Sequence, residues 1–336
     1  ASLEASLERD GRAASARPTG RQDEASKGFC KGCHEPVAAR AEDGVACFLC
    51  HSMAAVAEGA DPHPEKRITR GDKGVMYGPL DDATDAVVHG TKKSELHEGE
   101  GVCLACHDHD VPAAGGAPCC TVVRDWRDSE VRDYMRCQSC HMRASRDTPV
   151  ARGGPKRTHH RHDFPAAGDV DQARGGWELA IAKTARGVNV TLTNKAGHAL
   201  PNGEPYGTRV VVRAEARGEG GAILGSAEQS IGFEMLDAAG RPTIFAHEAA
   251  KRGVSTAVAS GEERVLRFEL PPAASYVATL GYAAFAPPAA ALARVDELRA
   301  WIRSNRPQVQ LRLQRLDGAV QALARPMPIR TVRWPE

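Results

Sequence analysis

One short pattern, Cys-x-x-Cys-His, occurs four times in the chain: Cys30-Lys-Gly-Cys33-His34, Cys47-Phe-Leu-Cys50-His51, Cys103-Leu-Ala-Cys106-His107 and Cys137-Gln-Ser-Cys140-His141. With 10 Cys and 13 His in 336 residues, chance would supply roughly 0.01 such matches. Two thiols three residues apart stand about one helical turn from each other. That spacing lets both form thioethers with the vinyl groups of one porphyrin, and the next residue directs an imidazole at the iron. The pattern therefore predicts four covalently attached haem c groups. Their thioethers come from Cys30, Cys33, Cys47, Cys50, Cys103, Cys106, Cys137 and Cys140, and their proximal ligands are His34, His51, His107 and His141. A disulfide framework gives no reason for a His after every second Cys. Zinc would suit Cys30/Cys33 and Cys47/Cys50 as a two-knuckle ribbon, but it leaves four identically placed histidines without a role.

Eight cysteines are thereby used, and Cys119 and Cys120 remain. A bridge between neighbours strains the intervening peptide, so the choice lies between unpaired or buried thiols and a strained vicinal disulfide. Neither reading gives the pair a function.

Nine histidines are left for the far side of the irons. Met53 and Met142 lie too close to their own motifs to reach the opposite face, so the surplus of His favours bis-His ligation. His89, at the end of a helical-looking run before the third motif, is the first distal candidate. His159, His160 and His162 cluster after the fourth motif, and His198 sits in the Gly/Pro-rich turn Asn194-Lys-Ala-Gly-His-Ala-Leu-Pro-Asn-Gly203. For each, the plainer alternative is a surface imidazole or one satisfied by backbone. His97 and His63 come next. His109 stands too near His107, and His247 reads as a surface residue.

The elements that must hold these groups fall into three stretches. Residues 1–27 are polar, small and charged and cannot sustain a core. Residues 28–165 carry all four motifs, about 35 residues for each, too few for an apolar core beneath every one. Short helices bearing the motifs and irregular loops would wrap the porphyrins, whose apolar faces supply the core. Residues 166–336 switch to alternating apolar and polar positions, as in 177–182, 188–193, 208–214, 264–270, 278–285 and 309–313. A helix is expected near 292–304. The expected fold class is α+β: a haem-packed, mostly irregular, short-helix tetrahaem domain followed by an immunoglobulin-like β-sandwich.

A net charge of +1 offers no field for nucleic acid or an anionic membrane surface. No apolar run approaches the roughly 20 residues of a membrane span. Haem attachment of this kind takes place outside the cytoplasm, so the expected location is extracellular or at the cell surface, with the periplasm as the alternative. The lack of a secretory signal reads as its removal from the mature chain.

The region from Phe29 to about Leu200 resembles the multihaem c-type cytochromes of the cytochrome c-554 type, and is similar to tetrahaem surface cytochromes that polymerise into nanowires. The matching pieces are Tyr77-Gly-Pro-Leu-Asp-Asp-Ala with His89, Cys120-Thr-Val-Val-Arg-Asp-Trp126-Arg-Asp-Ser129 before the fourth motif, His162-Asp-Phe-Pro, and Thr193 to Gly203 around His198. The resemblance implies closely stacked bis-His haems with distal ligands at His89, His162 and His198. The chain departs from the pattern by doubling the cysteine at Cys119-Cys120 and by having Asn202 where Thr is usual.

These readings lead to electron transfer without chemistry of its own, in a subunit of an extracellular conductive filament. Its partners would be redox proteins or extracellular acceptors, and further copies of itself in a homopolymer. The alternatives are a free periplasmic carrier and a multihaem reductase of a nitrogen compound with one open haem. All four motifs end in His, and no variant motif marks a special iron.

Overall fold

Alternation of apolar and polar side chains builds the second half of the molecule. A computed structural model of the chain describes residues 47–59, 64–83, 88–110, 118–150, 154–166, 169–202, 207–243, 248–283 and 324–335, with a few positions between 286 and 321. The arm at 1–27, the first motif (Cys30, Cys33, His34), His63 and the strand expected at 309–313 lie outside the described residues.

The chain divides into two units: residues 1–124, 134–164 and 245–251 form one, and residues 125–133, 165–244 and 252–336 the other. In the second unit, β9 (Trp177–Thr184), β10 (Gly187–Asn194) and β16 (Glu263–Glu269) form an antiparallel sheet in the order β16-β10-β9. A four-stranded antiparallel sheet joins β11 (Arg209–Arg217), β12 (Ile223–Ile231), β17 (Ser275–Ala283) and β18 (Met327–Trp334) in the order β12-β11-β17-β18. Side chains from both sheets share one apolar cluster, among them Val190, Leu192, Val212, Phe268, Leu280 and Ile329. Burying each side chain of this size stabilises the fold by about 1.5–3 kcal/mol. The alternation on β10 pairs buried Val188, Val190 and Leu192 with more open Asn189, Thr191 and Thr193, the period of two that a sheet with one buried face requires. A third small sheet holds β13 (Phe233–Leu236), β14 (Pro242–Thr243) and β15 (Lys251–Ser255). Within 292–304, every described residue is helical.

The first unit has another character. Its elements are short: α1 (Cys47–His51), α2 (Pro64–Arg67), α3 (Gly101–His107), α4 (Val122–Arg127, which begins in this unit) and α5 (Cys137–His141). Between them lie two-stranded pairs: β1 (Met53–Val56) with β2 (Ile68–Arg70), and the parallel β3 (Val75–Gly78) with β4 (Gly90–Lys93). The remaining pairs are β5 (His109–Asp110) with β6 (Pro118–Cys120), and β7 (Ala144–Pro149) with β8 (Lys156–His160). Its buried apolar side chains among the described residues are few, chiefly Leu49, Met53, Tyr77, Leu104 and Val123, while every member of the large cluster lies in the other unit. No helix among the described residues is long and apolar enough to cross a membrane.

Candidate functional site

Each described motif is a short helix in its own right, so both thiols and the imidazole follow from one turn of backbone. The motifs form α1 and α5 and the C-terminal part of α3. Phe48 is half exposed beside Cys47, while Leu49 is 1% exposed and pins α1 to the protein.

Thiols of different motifs lie side by side. Burial raises the Cys50 thiol above its ordinary pKa, and the neighbouring Cys106 and Cys47 raise it further. Cys103 and Cys137 are hydrogen-bonded to each other: the bond and burial push Cys103 up, and the bond from Cys103 brings Cys137 down. The third motif thus meets the fourth through sulfurs that would carry porphyrins, and the second lies near enough to the third for their thiols to interact electrostatically.

The imidazoles are oriented by backbone carbonyls. His51 Nδ1–H donates to Tyr77 O at 2.6 Å, which leaves Nε2 with its lone pair. Two further rings face His51: His97 at 5.6 Å between centroids and 19° between planes, and His162 at 6.0 Å and 40°. His97 is turned the other way. Its Nε2 meets Cys50 O at 3.0 Å, while Nδ1 is buried with no partner among the described residues. Burial lowers the pKa of His97, and burial, then His51, His159 and His160, lowers that of His162. A neutral imidazole is the form that binds a metal.

The other predicted histidines take separate places. His160 Nδ1–H donates to Met142 O at 2.7 Å, next to the fourth motif, and His159 Nδ1 is buried without a partner among the described residues. His89 lies at the head of β4, with Nδ1–H on Gly90 O at 3.1 Å. Asp82, ahead of it, takes both guanidinium nitrogens of Arg157 on β8 at 2.7 and 2.5 Å. The His89 segment and the His159–His162 segment are thereby tied together. His198 belongs to the other unit, where Nδ1–H donates to Ala199 O at 3.0 Å.

Three positioning residues were not among the predicted site residues, although Asp125 and Asn194 lie in stretches that the sequence singled out. Asn194 is fully buried, and its Nδ2 donates to His198 O at 2.9 Å and Val258 O at 2.8 Å while Oδ1 accepts from Ala196 N at 2.8 Å. Asp125 accepts from Ala199 N at 3.3 Å and from the amide of Asn202. Arg67, 3% exposed, donates to Ala57 O at 3.1 Å and to Asp108 O at 2.6 Å, directly after α3. Those carbonyl ends carry partial negative charge, and a guanidinium is a fitting cap for them.

The residues present fit haem groups on three grounds. Motif thiols stand partly open on one-turn helices. His51, with Nδ1–H on Tyr77 O, keeps the Nε2 lone pair and has two further imidazole rings within 6.0 Å, and buried ring nitrogens of His97 and His159 lack partners among the described residues. The first unit also holds little apolar core of its own. His51, His107 and His141 would hold three irons through their imidazoles, with His97, His162, His160 and His89 at hand in the same unit for the opposite faces.

With this geometry in view, the penta-haem cytochrome c552 from Thermochromatium tepidum is similar in structure. Its TM-score is 0.62 at 18% sequence identity, with 92% of this chain and 84% of that chain covered. The fold is that of a multihaem c-type cytochrome. No protein-family model matches the chain, and no curated protein matches it.

Proposed function

We propose that the chain carries electrons through four covalently attached haem c groups with bis-His iron. The observation that carries the reading is the adjacency of motif sulfurs, Cys50 with Cys106 and Cys103 with Cys137, on top of the fourfold motif. Iron porphyrins supply one-electron exchange, at potentials set by axial ligand, hydrogen bonding and burial. The protein's part is to hold the imidazoles still and to keep neighbouring attachment sites close. The similar cytochrome c552 is penta-haem, whereas this chain has four motifs.

The further reading, a subunit of an extracellular conductive filament, rests on the polar arm at 1–27 and the small number of residues per motif. Free periplasmic transfer and reduction of a nitrogen compound are the competing roles. Expression in a host that attaches haem c, followed by intact mass, tests the first claim: four haem masses are expected, and fewer would overturn the tetrahaem reading. Ferric spectra that are entirely low-spin, with no CO binding after reduction, are expected of a carrier. A high-spin fraction that binds CO would instead point to an enzyme. Negative-stain images of concentrated protein decide the filament, and monodisperse single particles would reject it.

A further inference from the structure

The cysteine pair left over by the four motifs includes one side chain with a defined place. The Cys119 side chain lies outside the described residues, and Cys120 is 3% exposed. Its Sγ stands 3.7 Å from Nδ1 of His107, the imidazole of the third motif. An imidazole that binds iron through Nε2 keeps its proton on Nδ1, so this contact is N–H donating to sulfur.

The thiol is bracketed from two sides. Helix α3 ends at His107, and β5 begins two residues later, pairing His109 with Cys120 across β6. The chain then enters α4, where Arg124 forms an ion pair of 2.5 Å with buried Asp108, the residue that follows His107. Arg67 holds the Asp108 carbonyl at 2.6 Å. Cys120 therefore cannot drift from the ring without breaking a strand pairing or a half-buried ion pair.

Nδ1 partners differ between motifs. His51 donates to a carbonyl oxygen at 2.6 Å, a short bond to a strong acceptor, whereas Nδ1 of His107 meets a sulfur, a weak acceptor, at 3.7 Å. A strong acceptor draws the Nδ1 proton and makes the ring a better donor to ferric iron. A weak acceptor leaves the ring a poorer donor and favours the ferrous form.

We infer that Cys120 is a positioning residue for His107 that sets the iron at the third motif to a higher potential than the iron at the second. The inference rests on the proposed haem function, because it needs His107 as an axial ligand.

The test is a spectroelectrochemical titration of the full, haem-loaded chain as wild type, Cys120→Ser, Cys120→Val and Thr121→Ser, the last as a control beside the site. Cys120→Ser places a stronger oxygen acceptor beside Nδ1, and one of the four midpoints should fall. Cys120→Val keeps bulk but removes the acceptor, and the same midpoint should rise. A shift of about tenfold in the reduction equilibrium corresponds to 59 mV for one electron. The other three midpoints and those of the control should stay in place. A packing role alone would lower stability in both Cys120 variants without moving one midpoint in opposite directions. Unchanged midpoints in a protein bearing four haems would overturn the inference. Loss of the haem from Cys103 and Cys106 already in the wild type, read by peptide mass, would overturn the haem reading at this motif itself.

Discussion

Asn194→Ala removes one small side chain and should cost more than most core truncations. The amide is wholly buried and makes three hydrogen bonds: to His198 O at 2.9 Å, to Val258 O at 2.8 Å and from Ala196 N at 2.8 Å. A buried backbone group left without its partner costs about 1–3 kcal/mol. Val258 O keeps Leu200 N as a donor at 2.9 Å, so the two other lost bonds sum to between about 2 and 6 kcal/mol, and a water entering the vacated space would recover part of this. The expected loss is therefore about 3–5 kcal/mol, a large share of the 5–15 kcal/mol typical of a folded domain. Urea unfolding followed by far-UV circular dichroism measures it as a fall in the midpoint at unchanged slope. Asn194→Asp keeps the shape and the acceptor but turns both donors into an oxygen facing two carbonyls, and it should lose at least as much. The same loop carries His198, so a ferric high-spin signal should appear in Asn194→Ala if that imidazole ligates an iron. A loss below about 1 kcal/mol in the Ala variant would refute the view that this amide braces the turn.

Other substitutions test other parts of the structure. Arg67→Met should cost about 2–5 kcal/mol in the same unfolding assay, because it strips buried carbonyls of Ala57 and Asp108 of a charged donor; Arg67→Lys, which can reach one of them, should lose less. Gly187→Ala should cost at least about 2 kcal/mol in thermal or urea unfolding, because φ is +142° there and an added Cβ would lie 2.1 Å from Phe268 O. Glu215 lies between Arg213 and Arg217, and the hydrogen bond from Arg217, above all, holds its carboxyl below the usual 4.5. Because its folded value is depressed, its contribution is complete above about pH 4.5 and disappears as pH falls through the folded value. Glu215→Gln should accordingly flatten the acid limb of urea midpoints measured from about pH 7 to pH 3.

Much of the β region was legible because strand burial has a local signature. The stretches around 177–182, 188–193, 208–214, 264–270 and 278–285 alternate as strands do; β9, β10, β11 and β16 run through the first four, and β17 covers the last as far as Ala283. Strands β12 and β18 carry the same alternation in weaker form. β12 exposes Ile223 and Leu224 at its start, and β18 mixes arginines with Met327, Ile329 and Val332. Their places at the edges of the four-stranded sheet demand less apolar surface.

By itself the sequence determined which sulfurs stand three residues apart and which imidazole follows them. Those groups lie within five residues, and a single helical turn sets their geometry. Only the tertiary structure decided which imidazoles meet His51, what holds Nδ1 of each ring, and what Cys120 touches. These are contacts between segments far apart in the chain, such as Tyr77 on His51, Asn194 on Val258 and Cys120 on His107. Hydrogen bonds to backbone carbonyls require no particular residue at the accepting end, so they leave no pattern in the sequence. Folding alone brings the partners within reach.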